Sequence, residues 1–250
     1  MLLLYLDQNY ASRIAKHLLG QVGHQPFDQL YERLLALDTL ICPVSPFHIL
    51  ELRGGYLCPP FQSFFPTLQR GYWVRPWQEI LQRQRISRVV QREDFLTTEG
   101  SWDQAADLQP LAWIEDYPLE GHLNKRIRQA RTALCERLDL PPEDGTLPFL
   151  DILARIMAFR SLNHERDPRS SDLADMLIAA TTTPYVDILA TDRFVRETLD
   201  RTGCGQHVYS GRYPDVYRLL RDLDRRFPSA SPPAEATNPA PPDQTKNASS

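Results

Sequence analysis

Met1-Leu2-Leu3-Leu4-Tyr5-Leu6-Asp7-Gln8-Asn9 is an almost unbroken apolar run that ends in an acid and two amides. An apolar run this short reads as a strand buried on both faces, the pattern of a parallel sheet with helices on each side. An acid at the carboxyl end of such a strand stands where open α/β sheets hold their ligands. Asp7 is therefore the first candidate functional residue. The competing role is an ordinary one, since aspartate there also serves as a turn residue or helix cap.

From this strand outward, helical and strand patterns alternate. Residues 9–19 place Tyr10, Ile14, Leu18 and Leu19 at helical spacing, with Gly20 as a stop. Residues 27–37 repeat the pattern, and residues 39–44 read as a second short strand. Ser45-Pro46 then supplies an N-cap and a proline at the first helical position, opening a helix that carries Ile49, Leu50 and Glu51. The α/β pattern returns with a helix over 171–182, a strand over 186–191, a short strand over 206–209 and a helix over 214–227. Between them, from about 54 to 170, strand signals are weak. Helices are expected near 77–92, 105–116, 123–138 and 147–162, so this stretch reads as a mainly helical insertion.

The last residues, 228–250, are rich in Pro, Ala, Ser, Asn and Thr and carry no large apolar side chain. Such a segment buries too little surface to offset its ordering entropy, and a disordered tail is expected. The folded domain is placed at residues 1–227.

With 250 residues the chain is long enough for a substantial core, and 42% hydrophobic and 24% charged residues are ordinary for a globular domain. A net charge of -4 excludes a uniformly basic nucleic-acid binder but not a local basic groove. No apolar stretch approaches the roughly 20 residues needed to span a bilayer, and no basic leader precedes the first apolar run. Cys42, Cys58, Cys135 and Cys204 are scattered, with no metal-ligand spacing. Reduced, mostly buried thiols in a cytoplasmic protein are expected.

Three more acids share the setting of Asp7. Glu51 lies on the helix after the second strand, Asp175 near the start of the 171–182 helix, and Asp192 directly after the 186–191 strand. In a parallel sheet these positions converge on one edge. Each has an ordinary explanation: Asp172 and Asp175 oppose a helix macrodipole, Glu51 fits a solvated helix face, and Asp192 fits a cap. As a set they repel one another unless a cation joins them, and oxygen ligands of this kind suit Mg²⁺ or Mn²⁺. Such an ion can polarise a phosphodiester and generate hydroxide from water, giving metal-assisted phosphodiester hydrolysis as the reaction class.

Leu6-Asp7-Gln8-Asn9, Ser45 with Leu50-Glu51-Leu52, Asp175-Met176-Leu177-Ile178-Ala179-Ala180 and Ala190-Thr191-Asp192-Arg193-Phe194, in this order, resemble the PIN-domain family. The resemblance covers about the first 52 residues and 171–210, and the step from Asp175 to Thr191 is its strongest part. It implies a three-layer α/β/α fold around a mainly parallel sheet and a metal-dependent endoribonuclease site. Asp7, Glu51, Asp175 and Asp192 match the family's metal-site acids, and Asn9 and Thr191 the polar positions beside them. Gln8 stands where the family more often has a small hydroxyl residue. The stretch between Glu51 and Asp175 is also longer than in compact members.

The substrate implied is RNA, expected to be single-stranded, with a protein inhibitor or a second copy of the chain as further candidate partners. Two basic stretches lie in the unmatched middle. One holds Arg70, Arg75, Arg83, Arg85, Arg88 and Arg92 among Tyr72, Trp73 and Trp77; the other is Lys125-Arg126-Ile127-Arg128-Gln129-Ala130-Arg131. Arginines beside aromatics suit a single strand, and Arg126 and Arg128 are the candidate substrate contacts. A solvated helix face with aromatics packed inward is the equal alternative. His48, one turn before Glu51, reads as a packed or surface histidine ahead of a cleft residue. A catalytically silent module of the same fold, binding RNA or a protein, is the second functional expectation. A phosphatase of the haloacid dehalogenase type is third, because Asp7-Gln8-Asn9 lacks the second aspartate of its nucleophile motif.

Overall fold

In a computed structural model of the chain, Leu2–Leu6 forms β1 and all five of its residues are buried. The structure describes residues 1–53, 55–87, 90–140, 147–162 and 172–228. Strands β2 (Leu40–Ile41), β5 (Ile188–Thr191) and β6 (Val208–Ser210) join β1 in a parallel sheet of order β2-β1-β5-β6. The register pairs Leu2 with Leu40, Leu6 with Ala190, and Thr191 with Ser210.

Period-2 alternation divides the strand side chains between two cores. Leu2, Leu4, Leu6, Ile188 and Ala190 join one, with α1 (Gln8–Leu18), α2 (Phe27–Leu35), α4 (Cys58–Gln69) and α11 (Tyr213–Arg226). Leu3, Tyr5, Leu189 and Val208 join the other, with α5 (Trp77–Ser87), α7 (Leu123–Arg137), α8 (Pro148–Leu162), α9 (Asp172–Thr182) and α10 (Arg193–Arg201). The chain is thus an α/β protein with a parallel sheet and a buried apolar layer on each face. No helix among the described residues is long and apolar enough to cross a membrane.

The stretch read as an insertion contributes to both cores. Phe61, Phe64 and Phe65 of α4 enter the first, and Phe149, Leu150 and Leu153 of α8 the second. Helix α4, which carries Pro59, Pro60 and Pro66, was not among the helices expected. Two of these prolines fall in the first turn, where a missing N–H costs nothing. A second, antiparallel pair also went unread: β3 (Trp73–Val74) with β4 (Leu96–Thr97).

Two helix expectations need correction. Over 105–116 only a 3₁₀ segment forms, Gln109–Ile114, because the Asp107 carboxylate accepts the Gln109 N–H at 3.0 Å and the Ala106 N–H turns away to the Pro46 carbonyl. In place of one helix over 77–92, α5 covers Trp77–Ser87, residues 90 and 91 are not helical, and a separate turn, α6 (Arg92–Phe95), follows. Residues 229–250, and with them nearly all of the expected tail, lie outside the described residues.

Gly100 packs against the face of Trp73, which is buried and meets Trp102 edge to face. A Cβ at Gly100 would overlap the Trp73 ring atoms, and a rigid indole cannot fold away as a flexible side chain would. Gly100→Ala is expected to cost about 1–3 kcal/mol by overpacking, read as a lower urea midpoint at unchanged slope.

Candidate active site at the carboxyl edge of the sheet

The sheet order reverses direction between β1 and β5: the chain leaves β1 toward β2 and leaves β5 toward β6. Where an open α/β sheet reverses, helices depart to opposite sides and leave a crevice at the strands' carboxyl ends. Asp7 follows β1 and Thr191 closes β5, so both stand at this crevice.

Asp7 is 2% exposed and tightly held. Its N–H donates to the Ala190 carbonyl at 2.7 Å, joining the two strand ends. Its carboxylate caps α1 by accepting the Gln8 N–H at 2.7 Å, and accepts the Thr191 hydroxyl at 3.1 Å. The Asn9 side chain hydrogen-bonds it as well. Capping and site roles therefore coincide in one residue. Asp192 has the same double character, accepting the Val195 N–H at 2.7 Å as N-cap of α10. Asp175 lies buried in the first turn of α9. Glu51 projects from α3 (Pro46–Leu52), and its Oε2 is buried with no hydrogen-bond partner.

These four acids act on one another. Burial, then repulsion from Asp7 and Asp192 and further from Glu51 and Asp172, pushes the Asp175 carboxyl up to about 9. Burial with Asp7 and Asp192 raises Glu51 to about 8. Asp7 is raised to about 6, mainly by burial and partly by Asp192, against hydrogen bonds from Gln8, Thr191 and Asn9. Among the described residues none of Asp7, Glu51 and Asp175 forms an ion pair, so the repulsion stands uncompensated. Asp172, by contrast, is buried against Arg160 at 3.3 Å. No three His, Cys, Asp or Glu side chains among the described residues stand close enough to hold one ion between them.

Comparison with known protein families, curated proteins and solved structures finds no match to this chain.

Behind Asp7 lies a buried polar network. His48 is fully buried; its Nε2–H donates to the Leu6 carbonyl at 2.6 Å and its Nδ1 accepts the Ser45 N–H at 3.1 Å. Ser45 Oγ accepts the His48 N–H at 3.2 Å, completing a capping box in which histidine fills the place usual for Glu or Gln. The Tyr5 hydroxyl meets Ser45 Oγ at 2.7 Å, and its ring stacks on His48. Burial lowers the imidazole to about 4, so it is neutral near pH 7. His48 thus locks α3, which carries Glu51, to the peptide immediately before Asp7. Its packed character was expected and this positioning role was not; the available signal was Ser45-Pro46-Phe47-His48, a cap with a hydrogen-bonding residue at its third helical position.

The expected substrate contacts, Arg126 and Arg128, stand on α7. The Arg126 guanidinium donates to the Gly121 carbonyl at 2.7 Å and to the Ser161 carbonyl and hydroxyl at 2.7 and 2.9 Å, tying the start of α7 to the end of α8. Arg128 is exposed. In the other basic stretch Trp73 and Trp77 are buried, Arg75 and Arg83 pair with Glu79, and Arg92 pairs with Asp187. Arg88 lies outside the described residues.

Proposed function

We propose that the chain is a metal-dependent endoribonuclease of the PIN type, with a three-layer α/β/α body, hydrolysing RNA phosphodiester bonds at the carboxyl edge of its sheet. The observation that carries this reading is the set of mutually repelling, buried and half-buried carboxylates where the sheet reverses. Evolution of a stable apo fold alone gives no reason to gather uncompensated acids; a cationic ligand does.

The donor set fits a hard divalent cation. All four groups are carboxylates, and Glu51 holds a buried oxygen that lacks a partner. No three of the acids stand close enough among the described residues to share one ion, so one or two carboxylates would bind Mg²⁺ or Mn²⁺ directly and the others would act through its waters. When bound, such an ion supplies Lewis acidity toward a phosphate oxygen and a water nucleophile active at neutral pH. Asp7 would anchor it, because Gln8, Asn9 and Thr191 fix its carboxylate in advance. Glu51 and Asp175, raised to about 8 and about 9, hold their protons near neutral pH and would have to release them to bind a cation. Asp192, oriented by the Val195 N–H, would add its negative charge beside the ion. Four free thiols fit a reducing compartment, so we place the protein in the cytoplasm.

The test is cleavage of a labelled single-stranded RNA by the full chain with Mn²⁺, beside Asp7→Asn. Wild type is expected to cleave and the variant to fall at least about 100-fold, the scale of losing a pre-organised charge at a reacting centre. Equal cleavage by both proteins would assign the activity to a contaminant and overturn the reading.

A further inference from the structure

The helix after β6 begins at the same edge as the acids and carries an exposed aromatic and basic stripe away from it. The Gly211 N–H donates to the Thr191 carbonyl at 3.0 Å, and a Cβ at Gly211 would stand 3.9 Å from the Asn9 Cβ. The start of α11 therefore adjoins the two polar residues that flank Asp7. From there Tyr213, Tyr217 and Arg221 recur every fourth residue, which places them on one face of the helix. Tyr213 and Tyr217 are 43% and 47% exposed, unusual for large aromatic rings.

Beside this stripe, α11 and α2 enclose a groove of about 690 Å³, lined by Arg33, Tyr217, Arg218, Arg221 and Asp224 among others. Its charge balance is positive although the whole chain is at -4. Arg33 and Asp224 neutralise each other at 2.8 Å. Arg218 reaches Asp215 at 3.0 Å, but that buried carboxylate also serves Arg196, leaving one negative charge for two guanidinium groups. Arg221 has no acidic partner among the described residues. Directly before α11, Arg212 is exposed, and the Arg13 guanidinium lies over the Phe27 and Tyr213 rings at 5.0 and 5.9 Å.

Tyrosine faces interleaved with arginines in an open groove match a single strand, whose bases stack on rings while its phosphates meet guanidinium groups. We propose that the α2–α11 groove holds the RNA strand as it leaves the acidic edge, with Tyr217 under a base and Arg218 and Arg221 against phosphates. This rests on the acidic edge being a phosphodiester site. It moves substrate binding from Arg126 and Arg128 to the opposite face of the sheet, where α11 packs.

The test uses the full chain with Asp175→Asn to block cleavage, a labelled unstructured RNA of about 20 nucleotides, and fluorescence anisotropy without divalent cations. Adding Tyr217→Ala is expected to weaken binding about 5–150-fold, the range for losing one base stack. Adding Arg221→Ser is expected to lower the slope of log affinity against log salt by about 1. Both side chains are exposed, so unchanged melting temperatures should accompany both losses. In parallel, the two substitutions in an otherwise wild-type chain are assayed with Mn²⁺ on bis(p-nitrophenyl) phosphate, too small to reach the groove, and its hydrolysis should be unaffected. Hydrolysis of that ester with RNA affinity unmoved by either substitution would overturn the groove and leave the acidic edge standing. Weakened RNA binding with neither substrate hydrolysed by the wild-type chain would keep the groove and remove the nuclease reading. Equal affinity for a polyglutamate peptide would overturn the groove in favour of an acidic protein partner.

Discussion

Asp175→Asn is expected to make the cation-free protein more stable while abolishing RNA cleavage. The native Asp175 carboxyl is raised to about 9 by burial and by the charges of Asp7, Asp192, Glu51 and Asp172, whereas in the unfolded chain it returns to the ordinary range near 4. A folded pKa above the unfolded one means that the native state binds more protons between those values. Stability from this group is then fully present below pH 4 and is lost as pH rises toward 9. Asparagine has nearly the same shape and never ionises, so it removes that loss. The gain should be on the order of 2–4 kcal/mol at pH 8, which for a chain of this size is a rise of about 5–10 °C in Tm. It should shrink toward zero near pH 4. Differential scanning fluorimetry across pH 4–9 reads it directly, and a difference flat with pH would remove the electrostatic account.

Divalent cation supplies the second half of the same experiment. A ligand that binds only the native state stabilises by mass action, so Mn²⁺ should raise the melting temperature of wild type. Asp175→Asn should respond far less, because it has lost one carboxylate and the repulsion that the ion relieves. The stability order of the two proteins should then narrow or invert on adding Mn²⁺. This crossover separates a binding site from a merely strained core, since strain alone gives wild type no reason to respond to the ion.

How much of this was legible in the sequence depends on whether a residue's role is set locally. Leu2 to Leu6 sit in a continuous apolar run, and such a run has few placements other than a two-sided strand; the structure buries all five. Ser45-Pro46 is a local start signal, and α3 begins there with the serine cap made. The elements that escaped depend on distant partners. Helix α4 is held by phenylalanines in the first core, where it packs against α1, α2 and β2, and nothing within its proline-rich stretch announces that. Strands β3 and β4 have two residues each, too few for a period to register. The acids at the edge followed from strand ends and helix starts, because the topology of a parallel sheet gathers those positions. Which arginines are free does not follow from composition: Arg126 and Arg92 are consumed by carbonyls and a carboxylate far away in sequence, while Arg221 is not.

His48→Ala is expected to be the most destabilising single change near the site. The imidazole is wholly buried, stacked 5.0 Å from the Tyr5 ring and packed against Phe65 at 5.3 Å. Truncation opens a cavity and also strips the Leu6 carbonyl and the Ser45 N–H of their partners in a region closed to water. Cavity and orphaned polar groups together should cost on the order of 3–5 kcal/mol, read as a lower urea midpoint. The pH dependence opposes that of the acids. The native imidazole is lowered to about 4, while the unfolded one titrates near 6.5, so its stabilising effect is complete above pH 6.5 and fades as pH falls to 4. His48→Gln keeps a donor and an acceptor without a titrating ring, and should flatten that acid-side loss while recovering part of the stability. Cleavage should fall even at temperatures where His48→Ala is fully folded, because α3 then loses the bond that fixes Glu51 relative to Asp7. If cleavage per folded molecule is unchanged, His48 supports the fold alone and the acids keep their register by other contacts.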